Sequence, residues 1–201
     1  MEETTKDLLL KEIANYGYRA GFGAKKHFAT YDMSQNIPIT IAVIGILAGI
    51  GQVAYPDNNF STGLAILLIM ASIIGLIMNP FNEKKENYDK VGSELTEIFN
   101  ELQNLFYEVK VSPEETYTEQ REKLKSLVKE FNSTGLSHQM FGSDWYAHYK
   151  FFFQMEKQWI EEVRPFKLWG DKIPASLLIF SVVVFLLPLA WNYLFSSGGI
   201  I

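Results

Sequence analysis

The chain has 201 residues, a formal net charge of −5 and no cysteine. That length suits one domain or one membrane module. The acidic balance argues against general coating of nucleic acid, and the missing thiols exclude disulfides, thiolate zinc sites, iron–sulfur clusters and cysteine catalysis.

All 18 Lys and Arg, and every acid except Asp57, fall in residues 1–36 and 82–172. The first of these stretches reads as an N-terminal amphipathic helix. It carries an aromatic–basic run of Tyr16, Tyr18, Arg19, Phe22, Lys25, Lys26, His27 and Phe28. The glycines inside the run fit neither GxxxxGK[ST] nor GxGxxG, and no apolar strand precedes them, so a phosphate loop is rejected. Arg19, Lys25, Lys26 and His27 leave two readings open. They rest on anionic lipid headgroups, or they hold a phosphate-bearing ligand with rings available for base stacking.

Residues 37–55 and 60–80 are apolar runs, and residues 173–195 form a third. Each is close to the roughly 20 residues that a helix needs to cross a bilayer core. In lipid only a helix satisfies its own backbone groups over such a length. The short connection Pro56, Asp57, Asn58, Asn59 makes residues 37–81 a tight transmembrane hairpin. Ala42, Gly45, Gly49 and Gln52 recur at helical spacing in the first span, as do Ala65, Leu68, Ser72, Gly75 and Asn79 in the second. Such small and weakly polar stripes serve packing within the hairpin, packing between protomers, or the lining of a pore. No span holds an ionised side chain, which counts against proton relays and coupled transporters. A pore gated by dewetting stays compatible. Three spans cannot enclose one, so a pore requires a homo-oligomer, for instance a tetramer.

Residues 82–172 read as a helical domain. Tyr88, Val91, Leu95, Ile98, Leu102, Leu105 and Val109 form a heptad seam that serves either the domain or an oligomer. Ser112 and Pro113 look like the start of a second helix, bearing Tyr117, Leu124, Leu127, Val128 and Phe131. After a turn-rich break at 132–138, a third helix is expected with Trp145, Tyr149, Phe152, Trp159 and Val163 on it, stopping at Arg164-Pro165. Its aromatic run, 145–153, fits a core and membrane-interface role or a partner surface. Asp144 and His148 share a face but lack a third ligand, so no metal is expected. No acid–base, nucleophile or cofactor constellation is visible, and no enzyme is expected. Lys and Arg crowd one side of the spans and are missing from the other. The positive-inside rule then places the N-terminus and 82–172 in the cytoplasm of a cell's inner membrane. The expected fold is an all-α membrane protein: three transmembrane helices, a cytoplasmic helical bundle between spans two and three, and a third span with a short tail at 173–201.

The aromatic–basic run, the tight two-span hairpin and the long heptad helix from Tyr88 to Val109 together resemble the SLATT proteins. These are membrane effectors found beside nucleotide-sensing and nucleotidyltransferase genes in bacterial anti-phage defence. The third span departs from a family named for two. The resemblance implies an oligomeric pore that depolarises the membrane, gated by a nucleotide or oligonucleotide signal from a nucleotidyltransferase. The Hailong defence system is one such setting. The competing expectation is a non-conducting membrane scaffold whose helical domain docks a soluble partner.

Overall fold

The computed structural model describes residues 4–55, 61–113, 116–168 and 170–196, and among them every element is a helix. The order is α1 (Thr5–Ala54), α2 (Ser61–Glu83), α3 (Lys85–Val111), α4 (Thr118–Ser133), α5 (Ser143–Gln154), the single turn α6 (Gln158–Glu161) and α7 (Ala175–Ser196). Pro56 to Phe60, Glu114, Glu115, Trp169 and the last five residues lie outside the described set, so the hairpin tip does too.

α1 dominates the architecture. Thr4 caps it through a reciprocal pair: the Asp7 N–H donates to Thr4 Oγ1, and the Thr4 N–H donates to an Asp7 carboxylate oxygen, both at 3.2 Å. From there one helix of 50 residues runs without a break across the expected boundary at 36/37. Its first half is the centre of a helical bundle rather than an appendage to it. Leu9, Leu10, Ile13, Ala14, Ala20 and Ala24 share one core with Leu95, Phe99, Leu102 and Phe106 of α3, Leu124 of α4, Phe151 of α5 and Trp159 of α6.

From Ala14 to Ala24 the α1 face in this core is built from small residues, and large rings fill the space left by their missing side chains. A Cβ at Gly17 would lie 2.2 Å from the Trp159 ring, and one at Gly21 would lie 2.8 Å from Phe99. The glycine-rich stretch of the sequence is therefore a packing surface. Shape matching of this kind is how an interior reaches solid-like density.

The heptad seam of α3 faces α1 within the same chain, with Tyr88, Leu95, Ile98, Leu102, Leu105 and Val109 all buried. Two expectations for the later helices need correction. Ser112 ends α3 instead of starting α4, which begins at Thr118 after Tyr117 has been buried in the core. The expected helix through Trp145 and Trp159 is broken at Met155, where α5 stops. The Lys157 ammonium donates to the Phe152 carbonyl at 2.9 Å, and the chain turns so that α6 can seat Trp159 against Gly17.

The second half of α1 and the whole of α2 leave this core and pack on each other, with their outer faces bare. Ile44, Leu47, Ile50 and Val53 on α1 are at least half exposed, as are Ile66, Leu67, Ile69 and Leu76 on α2. Among the described residues two helices are long and apolar enough to cross a membrane, α1 through its second half and α2. A continuous apolar surface of that extent requires a nonaqueous neighbour.

Candidate functional site at the base of the hairpin

The hairpin enters the bundle at two prolines, Pro38 inside α1 and Pro80 inside α2. Each lacks the N–H that would bond to the carbonyl one turn earlier, which makes both points compliant. Between them and the bundle lies the segment 134–142, of which the sequence offered only the part up to His138 as a turn-rich break. It straps α1 to the α2–α3 junction. The Leu136 N–H donates to His27 Nε2 at 3.1 Å, and the Thr30 hydroxyl donates to Gln139 Oε1 at 2.7 Å. On the other flank the Tyr88 hydroxyl donates to the His138 carbonyl at 2.7 Å, and the His138 ring stacks on Phe81 with centroids 5.2 Å apart. The Gln139 amide closes the strap on itself by donating to the Leu136 carbonyl at 2.9 Å.

His27 is the strap's anchor. It is 6% exposed, and its Nδ1 lies 2.8 Å from the Gly23 carbonyl while Nε2 accepts from Leu136. Those partners require the neutral tautomer with the proton on Nδ1. Burial pushes its pKa below the ordinary imidazole value, with the Lys26 charge adding to the effect and the Gly23 hydrogen bond acting against it.

The other expected ligand-binding cations point elsewhere. A helix turns about 100° per residue, so Lys25, Lys26 and His27 face three directions. Arg19 is exposed, its guanidinium 5.0 Å from the ring centroids of both Tyr16 and Phe131. Lys25 lies 6.0 Å over Phe28, and burial and the Lys150 charge lower its pKa. Lys26 pairs with Asp144 at 2.8 Å. The four do not converge on one point. Nor are the neighbouring rings free: Tyr18 packs edge-on to Phe151 at 5.4 Å under the Arg164 guanidinium, and Phe22 meets His148 at 4.7 Å. The Asp144 carboxylate goes to Lys26, while His148 Nδ1 lies 2.7 Å from the Asp144 backbone carbonyl and its ring meets Phe22.

In the hairpin the expected stripes divide. On α1, Gly45 faces α2, where a Cβ would meet Leu68 at 3.8 Å, while Gly49 meets nothing within 4 Å. Gln52 is half-buried and Ala42 exposed. On α2 the face turned inward is Leu64, Leu68, Ala71, Gly75 and Met78, one residue out of register from the expected Ala65, Ser72 and Asn79. The polar members satisfy themselves locally: the Ser72 hydroxyl donates to the Leu68 carbonyl and the Asn79 amide to Glu83 Oε1, both at 2.8 Å. Gly75, like Gly49, has no atom near its missing side chain.

An apolar hairpin rooted in a helical bundle through one shared helix is the layout of a membrane-inserted module. Among the described residues no three His, Asp or Glu side chains are grouped to hold a metal ion. The family model of SLATT_6, the SMODS and SLOG-associating 2TM effector domain 6, matches residues 4–181, and the chain belongs to that family. It is accordingly a membrane effector of defence systems. No curated protein and no solved structure matches it significantly.

Proposed function

We propose that this chain assembles into an oligomeric pore that depolarises the membrane in anti-phage defence, its state set by a nucleotide-class signal acting on a cytoplasmic bundle. The observation that carries the reading is the continuity of α1, whose first half is the bundle core and whose second half is a bare apolar span. A change in bundle packing is thereby a change in the orientation of span one. A ligand biases such an equilibrium only by binding one state better than the other, and coupling of this kind needs a shared element. The strap supplies a second link, since it holds α1 and the α2–α3 junction at the same level.

In this reading α7 is a third span. Its apolar character over Ala175–Leu186 supports that, together with the absence of charge from residue 173 onward. The crowding of Lys and Arg on the bundle side supports a cytoplasmic bundle in the inner membrane. Gly49, where a Cβ would meet nothing within 4 Å, offers a close-approach surface to a neighbouring protomer, and the exposed Ser72 and Asn79 weakly polar ones. Of the expected ligand-binding residues Arg19, Lys25, Lys26 and His27, Arg19 alone is exposed, and it is the one this reading offers to the signal's phosphates.

Reconstitution into liposomes tests the proposal. Ion flux that responds to added nucleotide, and responds less in Arg19→Glu, is the expected result. Tight liposomes under every nucleotide would favour the second reading, a scaffold. That reading has its own observation: Tyr146, Tyr149 and Phe153 form an exposed ladder on α5, with successive centroids 6.4 and 5.7 Å apart. Exposed aromatic ladders are what docking partners bury.

A further inference from the structure

A second feature at the same level has the chemistry of a lipid site. A cavity of about 430 Å³ opens where α5, the strap and the first turn of α7 meet, lined by Lys26, His138, Phe141, Asp144, Trp145 and Ser176 among others. We propose that it seats the headgroup of a zwitterionic phospholipid bearing a primary ammonium, of the phosphatidylethanolamine type. The inference rests on the reading of α7 as a membrane span.

Two opposite charges sit side by side at this cavity. Lys26 Nζ and Asp144 Oδ1 are 2.8 Å apart, with side chains 31% and 54% exposed, so both still face outward. A purely anionic ligand would meet the Asp144 carboxylate, and a purely cationic one would meet Lys26. A headgroup carrying a phosphodiester and an ammonium a few ångströms apart satisfies both, exchanging one ion pair for two charge-assisted contacts. The indole of Trp145 forms a wall, held by its N–H to the Ser176 hydroxyl at 3.1 Å and by the rings of Phe141 and Phe180.

The depth is also right. Ser176 is in the first turn of α7, and one turn further Phe180 meets the rings of Trp145 and Phe141 at 4.9 and 6.0 Å. Phe141 itself is 75% exposed, beside the position where acyl chains begin if α7 spans. Indole and phenyl rings at this depth are the usual residents of a headgroup interface. Apart from Ser176 and Phe180, α7 has few contacts with the other described elements. A lipid held between Lys26 of α1, Asp144 and Trp145 of α5 and Ser176 of α7 would tie the third helix to the bundle.

The test is lipid retention by the whole protein in nanodiscs made from equal parts phosphatidylethanolamine and phosphatidylglycerol, followed by native mass spectrometry of the released complex. Retention of the ethanolamine lipid over the glycerol lipid on the order of tenfold is expected, the value of one added charge-assisted contact. Lys26→Ala and Asp144→Ala should each remove the preference. The double exchange Lys26→Asp with Asp144→Lys keeps the ion pair and both charges, and should restore it; circular dichroism confirms that each variant is folded. Equal retention of the two lipids, or preference for the glycerol lipid, overturns the proposal. The span reading is checked separately by labelling Ile179→Cys with a membrane-impermeant maleimide. Protection without a lipid preference would sink the headgroup seat alone, whereas full labelling would remove the span and the seat together.

Discussion

His27 has a ring held by two backbone groups of opposite demand, one needing a donor and one needing an acceptor. Only the neutral imidazole meets both, so protonation must break the Leu136 contact. The sign follows. Because its folded pKa lies below the ordinary value, its contribution to stability is complete above about pH 6.5 and drains away as pH falls from there toward the folded value. Lys26 is the neighbouring charge that works in the same direction. We expect the unfolding midpoint of the native chain to drop more steeply between about pH 6.5 and 5 than that of His27→Gln. Parallel profiles would show that the strap does not depend on this proton. Gly17 offers a simpler test. An alanine there places a methyl 2.2 Å from the Trp159 ring, which is rigid and itself fully enclosed. Overpacking of this sort costs about 1–3 kcal/mol, and thermal melting in detergent should register the loss.

At the scale of elements, the two apolar helices of the hairpin and the heptad helix were legible because their signals are strong and local: long charge-free runs and a sustained seven-residue repeat. The role of residues 5–34 was not. Its buried face carries Ala14, Gly17, Ala20, Gly21 and Ala24, residues too small to announce a core by hydrophobicity. Their partners Phe99, Phe151 and Trp159 lie far along the chain, and no local pattern links the two sets. The strap was illegible for a related reason. Its bonds join His27, Thr30 and Tyr88 to a nine-residue loop, and its only sequence marks are Gly135 and Gly142 at its ends, both with positive φ. The glycine stripe in the hairpin was legible as a stripe but not by direction, since Gly45 and Gly49 turn out to have different surroundings. That difference yields a prediction. A Cβ at Gly49 or Gly75 would meet nothing within 4 Å, so Gly49→Ala and Gly75→Ala should leave the helicity and melting of the single chain unchanged, yet weaken assembly if those positions meet a neighbouring protomer. Cross-linking in membranes reads the outcome, and intact oligomers would clear both positions of that role. Gly45→Leu, by contrast, should disturb the hairpin itself through Leu68.

For the whole molecule, the family is that of a membrane effector and the fold supplies an apolar hairpin for the membrane, while the conducting state proposed above belongs to an assembly. Its most direct readout is the membrane potential of cells after sudden induction of the chain alone, followed with a voltage-sensitive dye. Rapid collapse is expected if the pore is open without its signal; a steady potential that collapses only when a nucleotide-generating partner is supplied would assign the signal an opening role. The way the bundle is threaded has a further consequence for biogenesis. α1 leaves the ribosome first, but the rings that fill its face come from α3, α5 and, last of all, Trp159 in α6. Contacts this distant in sequence close late. The hairpin must therefore enter the bilayer while the first thirty residues of α1 are still without their packing partners, and translation past α6 becomes the step that turns an inserted chain into a finished one.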